Sequence, residues 1–202
     1  MSICYLVGAG DFFGNISATD DDIIIAVDGG YNSLVRRGYT PDILIGDLDS
    51  LEGEVPDGVR TLKYPSQKDE TDMFLGYEAG VKLGYSDFVL LGATGGRLDH
   101  TYANLSLLLY AKEHGHNVTV IDSNGIIICI KDEAVTLTGT AGAYLSVFAI
   151  GGTAHGVSIS GTEYEVESTD LSPSFPLGVS NRFKDCPAYV SVDDGALLII
   201  AE

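Results

Sequence analysis

Residues 88–100 read Phe88-Val89-Leu90-Leu91-Gly92-Ala93-Thr94-Gly95-Gly96-Arg97-Leu98-Asp99-His100. The first four form a short continuous apolar run, the pattern of a strand buried on both faces of a parallel sheet. Gly92, Gly95 and Gly96 break that run and open a turn. Residues 100–114 then carry an apolar block over 105–111 and stop at Gly115, which predicts a helix. It is apolar nearly all round, so the helix is expected to be well buried. A strand, a glycine turn and a helix in succession are the repeating unit of an α/β fold, and ligands of such folds bind where the strands end.

The pattern repeats on either side. Apolar runs at Ile3–Val7, Ile23–Val27, 43–45 and 118–121 predict four more strands, and residues 32–37 and 69–83 predict helices. The second of these places Met73, Phe74, Tyr77 and Val81 at helical spacing, with acids in its first turn and Gly84 after its end. Residues 1–123 are therefore expected to form an α/β domain on a mostly parallel sheet. From Ser123 onward the character changes. Residues 125–130, 135–137, 144–150, 157–159, 164–166, 188–192 and 196–200 are short β-rich runs punctuated by Gly, Asn and Asp. No helical period is present there, so residues 124–202 are expected to form an all-β sandwich domain. The Ser123-Asn124-Gly125 boundary is a turn rather than a linker.

Composition narrows the function classes. Of 202 residues, 45% are apolar and 20% charged, with 11 Lys and Arg against 29 Asp and Glu, a formal charge of −18. The chain is too apolar for disorder and too acidic to bind nucleic acid or an anionic membrane nonspecifically, because both need a basic face. A phosphate substrate carried with a divalent cation stays compatible with it. Cys4, Cys129 and Cys186 are odd in number and widely spaced, so neither a disulfide framework nor a zinc knuckle is expected. No apolar run approaches the ~18 residues of a spanning helix and no signal peptide is read, which leaves a cytoplasmic setting as the expectation.

Polar clusters sit at the predicted strand ends. They are Asp28-Gly29-Gly30, Gly46-Asp47-Leu48-Asp49-Ser50 and Gly92–His100, with Lys68-Asp69-Glu70-Thr71-Asp72 at a helix start. Asp47 and Asp49 crowd two carboxylates after one strand, and Asp72 adds a third. That crowding favours a cation, and hard oxygen donors suit Mg²⁺. Plain turn chemistry and the helix dipole account for the same residues individually. The turn Gly92–Arg97 offers backbone N–H groups and one forked donor to phosphate oxygens. It is neither a Walker A loop nor Gly-x-Gly-x-x-Gly. His100 is a candidate for acid–base work or a plain helix-start residue.

These clusters, in this order and spacing, resemble the thiamine pyrophosphokinase family over essentially the whole chain. The matching segments are Asp28-Gly29-Gly30, Gly46–Ser50, Lys68–Asp72 and Gly95-Gly96-Arg97-Leu98-Asp99-His100, followed by Gly178-Val179-Ser180-Asn181-Arg182-Phe183. The resemblance implies transfer of the pyrophosphoryl group of ATP to the thiamine hydroxyl, giving thiamine diphosphate and AMP. It implies Mg²⁺ held by Asp47, Asp49 and Asp72, and a homodimer whose active sites are built across the subunit interface. By the same resemblance Lys68, Thr71, Gly95, Gly96 and Arg97 lie near the phosphates, with Asp28 and Asn32 on the same cleft. Lys68 stands where many members carry Gln, which suits phosphate binding. Asp99 and Asp72 are both candidates to accept the hydroxyl proton. Tyr164, Ser180 and Asn181 match a segment that shapes the thiamine pocket of the partner subunit, and a cationic thiazolium can stack on the Tyr164 ring. Three rivals fit the residues less fully: a pterin-alcohol pyrophosphokinase of the same fold, a non-catalytic nucleotide- or carbohydrate-binding module, and a Mg²⁺-dependent phosphohydrolase.

Overall fold

The structure is a computed structural model that describes residues 2–47, 51, 55–64 and 69–202. The chain divides into two compact units, Met1–Leu107 with Gly115–Ser123, and Leu108–His114 with Asn124–Glu202. Among the described residues no helix is long and apolar enough to cross a membrane.

The first part of the chain runs β1 (Ile3–Val7), β2 (Ile23–Val27), α1 (Gly30–Arg36), β3 (Ile43–Gly46), β4 (Arg60–Lys63), α2 (Asp72–Lys82), β5 (Asp87–Leu91), α3 (Leu98–Glu113) and β6 (Asn117–Asp122). Strands pair in the order β4-β3-β2-β1-β5-β6, every neighbour parallel. The order therefore reverses at β1, with β2 on one side and β5 on the other. Leu6, Ile25, Leu44, Ile45 and Leu90 are wholly buried, as expected of strands covered on both faces. The edge strand β4 escapes the sequence reading because Arg60-Thr61-Leu62-Lys63 offers one apolar side chain and lies mostly exposed.

Helix α2 starts where the sequence provides a cap. Thr71 Oγ1 accepts the Phe74 N–H at 3.2 Å, Asp72 occupies the first turn, and Lys82 closes the last, bridged to Glu78 at 3.2 Å. Its buried face carries Gly76 and Gly80, which let the helix lie close to the sheet. A methyl group at Gly80 would sit 2.5 Å from Phe88 Cε1 and 2.9 Å from Cys4 Sγ.

Helix α3 corrects the expectation of all-round burial. Leu98 is 81% exposed and Tyr102 73% exposed. Only Asn104, Leu107, Leu108 and Ala111 are buried, a single stripe at i, i+3, i+4 and i+7. Apolar residues on every side do not ensure neighbours on every side, and the tyrosine hydroxyls tolerate water.

The later strands are β7 (Gly125–Lys131), β8 (Ala134–Leu137), β9 (Tyr144–Ser160), β10 (Val166–Leu171), β11 (Gly178–Arg182), β12 (Ala188–Ser191) and β13 (Asp194–Ala201). Their ladders are antiparallel: β13 lies between β7 and β9, and β12 between β8 and β9, while β10 and β11 each pair with β9. The 17-residue β9 is the spine of this region. Residues 145–150 pair with β13, and residues 158–160 pair with β12. The separate strands expected at 144–150 and 157–159 are thus one strand that bends at Gly151, where φ is +78°. Glycine here permits a bend without ending the ladder. The strand expected at 164–166 begins instead at Val166, and Tyr164 belongs to the preceding loop. Leu145, Val147, Val157, Val190, Leu197 and Ile199 form the apolar centre of this unit.

Candidate active site

A cavity of about 370 Å³ opens in the first unit. It lies outside the carboxyl ends of β1 and β5, where the strand order reverses, which is the place an open α/β sheet offers a ligand. The ends of β1, β2 and β5 contribute Gly8–Gly10, Asp28, and Gly92 with Gly95–Arg97, and the helix starts contribute Asp72 and His100.

Two glycine turns, 8–10 and 92–96, lie against each other along one side of the cavity. Gly8 N donates to Leu91 O at 2.8 Å, Gly10 N to Gly92 O at 2.9 Å, and Asp11 N to Thr94 O at 2.9 Å. A side chain at Gly10 would run into the carbonyl oxygens of Thr94 and Gly92, so the backbones approach this closely only without one. Gly92, Gly95 and Gly96 all have positive φ, at +62°, +77° and +62°. Asp28 also has positive φ, +47°, a conformation Asp tolerates better than most residues. Its N–H donates to Ile45 O at 2.7 Å, tying the end of β2 to that of β3.

Arg97 grips Asp99 through two hydrogen bonds, Nε to Oδ1 at 3.1 Å and Nη2 to Oδ2 at 2.6 Å. The His100 N–H donates to the same carboxylate at 3.0 Å. The Arg97 hydrogen bond is the main reason the Asp99 carboxyl lies below the ordinary carboxylate range, and the same contact raises the Arg97 guanidinium. A carboxylate so stabilised is a weaker base.

The cavity thus gathers Asp28, Asp72, Gly95, Gly96 and Arg97 from the expected set. Asp47, half-buried directly after β3, Asn32 on α1, Thr71 and Asp99 are not among its lining residues. Thr71 spends its hydroxyl oxygen on the α2 cap. Asp49 and Lys68 lie outside the described residues. Among the described residues no group of three or more His, Cys, Asp and Glu could by itself hold a metal ion. Asp72, which lines the cavity, is a hard oxygen donor of the kind Mg²⁺ takes in nucleotide sites, where one or two carboxylates suffice and phosphates and water fill the remaining positions.

In the second unit, Asn181 is 5% exposed and its amide is fully engaged. Oδ1 accepts from Tyr164 N and Arg182 N, both at 2.9 Å, while Nδ2 donates to Thr162 Oγ1 at 3.0 Å and to Tyr164 O at 2.6 Å. The side chain therefore holds the Tyr164 loop. The Tyr164 ring itself is 65% exposed. Ser180 has φ +60° and donates its N–H to Ser146 Oγ at 3.0 Å.

Sequence reasoning missed the lining role of Gly8-Ala9-Gly10, Met73 and Asn104. The first had a usable signal, since it follows a predicted strand. Asn104 had a weaker one, lying one helical turn beyond His100.

Two family descriptions match the chain in tandem: the catalytic domain of thiamin pyrophosphokinase over residues 17–120 and the vitamin B1 binding domain of the same family over residues 126–197. The chain belongs to the thiamin pyrophosphokinase family. Thiamine pyrophosphokinase of Bacillus subtilis (strain 168) is 24% identical over 189 residues, covering 90% of this chain and 88% of that protein. The crystal structure of thiamine pyrophosphokinase from Bacillus subtilis matches at a TM-score of 0.89 with 20% identity, over 100% of this chain and 99% of that one. At that identity the likeness speaks to the fold. The crystal structure of thiamin pyrophosphokinase from Geobacillus thermodenitrificans matches at 0.85 with 25% identity, over 99% and 97% of the two chains. The cavity residues from Val27 to Asn104 fall inside the segment matching the thiamin pyrophosphokinase catalytic domain, and Tyr164, Ser180 and Asn181 inside the second segment.

Proposed function

We infer that the chain is an enzyme that transfers the pyrophosphoryl group of ATP to the hydroxyl of thiamine, giving thiamine diphosphate and AMP. One observation carries this most directly: two matched segments of one enzyme family follow each other along the chain. The cavity supports it with two glycine turns, a carboxylate at a helix start and a guanidinium.

In the reaction the thiamine hydroxyl oxygen bonds to the β-phosphorus of ATP. The bond from that phosphorus to the oxygen bridging it to the α-phosphorus breaks, and AMP leaves with that oxygen. Positioning and charge balance dominate such a transfer. In this reading the N–H groups of the 92–96 turn and the Arg97 guanidinium bind phosphate oxygens, with Lys68 and Thr71 nearby. Asp47, Asp49 and Asp72 hold Mg²⁺, which when bound neutralises phosphate charge. Asp28 and Asn32 border the same cleft. Asp72 and Asp99 are the two candidates to take the hydroxyl proton; the Arg97 hydrogen bond lowers the basicity of Asp99, as a bound cation would that of Asp72.

The reading extends to the whole chain. Residues 1–123 act as an α/β catalytic domain and residues 124–202 as an all-β sandwich that binds thiamine. The chain works as a homodimer in which Tyr164 and Ser180 border the thiamine pocket of the partner subunit, with Asn181 behind them. Exposed apolar side chains on the second unit, Tyr164 at 65%, Phe175 at 64% and Leu177 at 50%, support burial against a partner. Free thiols at Cys4, Cys129 and Cys186 support a reducing, cytoplasmic setting.

The test incubates purified protein with ATP, Mg²⁺ and thiamine and measures AMP and thiamine diphosphate. Equal yields of the two products, both abolished by omitting thiamine, are expected. AMP release that ignores thiamine would overturn the reading in favour of a hydrolase.

A further inference from the structure

The 92–96 turn is held by side chains that the mechanism leaves unused. Thr94 is 6% exposed and donates its hydroxyl to Oδ2 of Asp122, at the end of β6, at 2.5 Å. Asp122 Oδ1 accepts from Ser123 Oγ at 3.0 Å. Asn104, 7% exposed on α3, donates Nδ2 to the carbonyl oxygen of Ala93 at 2.7 Å. A carbonyl oxygen only accepts, so the hydrogen bond fixes which way this amide points. The 8–11 segment adds its backbone bonds to Gly92 and Thr94.

The turn needs such support. Three of its five residues are glycines at positive φ, and glycine loses more conformational freedom on ordering than any other residue. A turn left loose would have to be ordered when the nucleotide arrives, and that ordering would be subtracted from the binding free energy. Thr94 and Asp122 are absent from the cavity lining, so their contact bears on the nucleotide only through the backbone.

We propose that Thr94, Asp122 and Asn104 are positioning residues that preorganise the 92–96 turn to receive the polyphosphate of the nucleotide. Thr94 and Asp122 form one clamp on the turn, and Asn104 with Ala93 forms a second. The proposal rests on the reading that Gly95 and Gly96 face the nucleotide.

Thr94→Val removes the donor while keeping the shape, and Thr94→Ser restores it. KM for ATP, KM for thiamine and kcat are measured for each, with thermal melting alongside. A lost hydrogen bond of ordinary strength corresponds to a rise of about tenfold in KM for ATP in Thr94→Val. KM for thiamine should stay within about twofold, and Thr94→Ser should return KM for ATP to within about twofold of the parent, since the hydroxyl is regained. An unchanged KM for ATP in Thr94→Val, or a Thr94→Ser variant no better than Thr94→Val, overturns the clamp. Asp122→Ala, which removes the acceptor instead, is read in the same way should Thr94→Val not fold. Gly96→Asn separates the two levels, because a Cβ there meets no protein atom within 4 Å and asparagine tolerates the positive φ of that position better than other side chains do. If Gly96→Asn weakens ATP binding while Thr94→Val does not, the clamp alone falls. If Gly96→Asn leaves ATP binding intact, the nucleotide reading of the turn falls and the clamp falls with it.

Discussion

The Asn181 amide both donates and accepts twice at 5% exposure, and an acid of the same size cannot reproduce that pattern. Asn181→Asp would keep the two acceptor contacts to Tyr164 N and Arg182 N. The one oxygen that replaces Nδ2 would face both Thr162 Oγ1 and the Tyr164 carbonyl oxygen, and the latter cannot donate. Losing a buried donor and burying a charge in its place costs about 3 kcal/mol, so chemical denaturation should show a loss of that order at neutral pH. A variant as stable as the parent would mean that the Tyr164 loop holds itself. The same residue marks what one sequence can reveal. The Ser180-Asn181 pair is legible as a motif, but the hydrogen bonds by which Asn181 holds the Tyr164 loop are not. Hydrogen-bond saturation depends on Thr162 and Tyr164, whose arrangement around the amide no spacing rule predicts. Thr94 was equally opaque, because its partner Asp122 lies 28 residues away.

At the level of elements, α2 reverses a familiar expectation. Replacing a helical glycine by alanine usually stabilises by about 1 kcal/mol. At Gly80 the added methyl would meet Phe88 at 2.5 Å and Cys4 Sγ at 2.9 Å, and Phe88 is 2% exposed with Cys4 wholly buried. Overpacking of this kind costs about 1–3 kcal/mol, which outweighs the propensity gain. Gly80→Ala should therefore lower stability by about 1 kcal/mol net, and a rise in melting temperature would show that the helix can slide outward freely. The strands β1, β2, β3, β5 and β6 were readable because continuous apolar runs reflect burial on both faces. Strand β4 and strand β11 were not, because an exposed edge such as Arg60–Lys63 and a polar run such as Gly178–Arg182 carry no hydrophobic period. The bend in β9 looks like a break in the sequence because glycine permits both, and only the pairing partners distinguish them.

For the whole molecule, 29 acids against 11 bases set a repulsive field for a polyanionic substrate. Stripped of divalent cations by EDTA, ATP should bind more tightly as salt is raised from about 0.05 to about 0.3 M, because added ions screen that repulsion. Calorimetric titration checks this, and affinity that falls with salt would mean that local bases such as Arg97 outweigh the overall charge. The order of strands in the second unit has a bearing on synthesis. Strand β13 lies between β7 and β9, yet it is the last strand of that unit to be made. During translation β7 and β9 must therefore wait, each with an unpaired backbone edge and apolar side chains such as Ile127, Cys129, Leu145 and Val147 uncovered by their eventual neighbour. Unpaired edges of this kind invite pairing between nascent chains. The time between the emergence of β9 and of β13 from the ribosome is thus an interval in which those two edges stand open to such pairing.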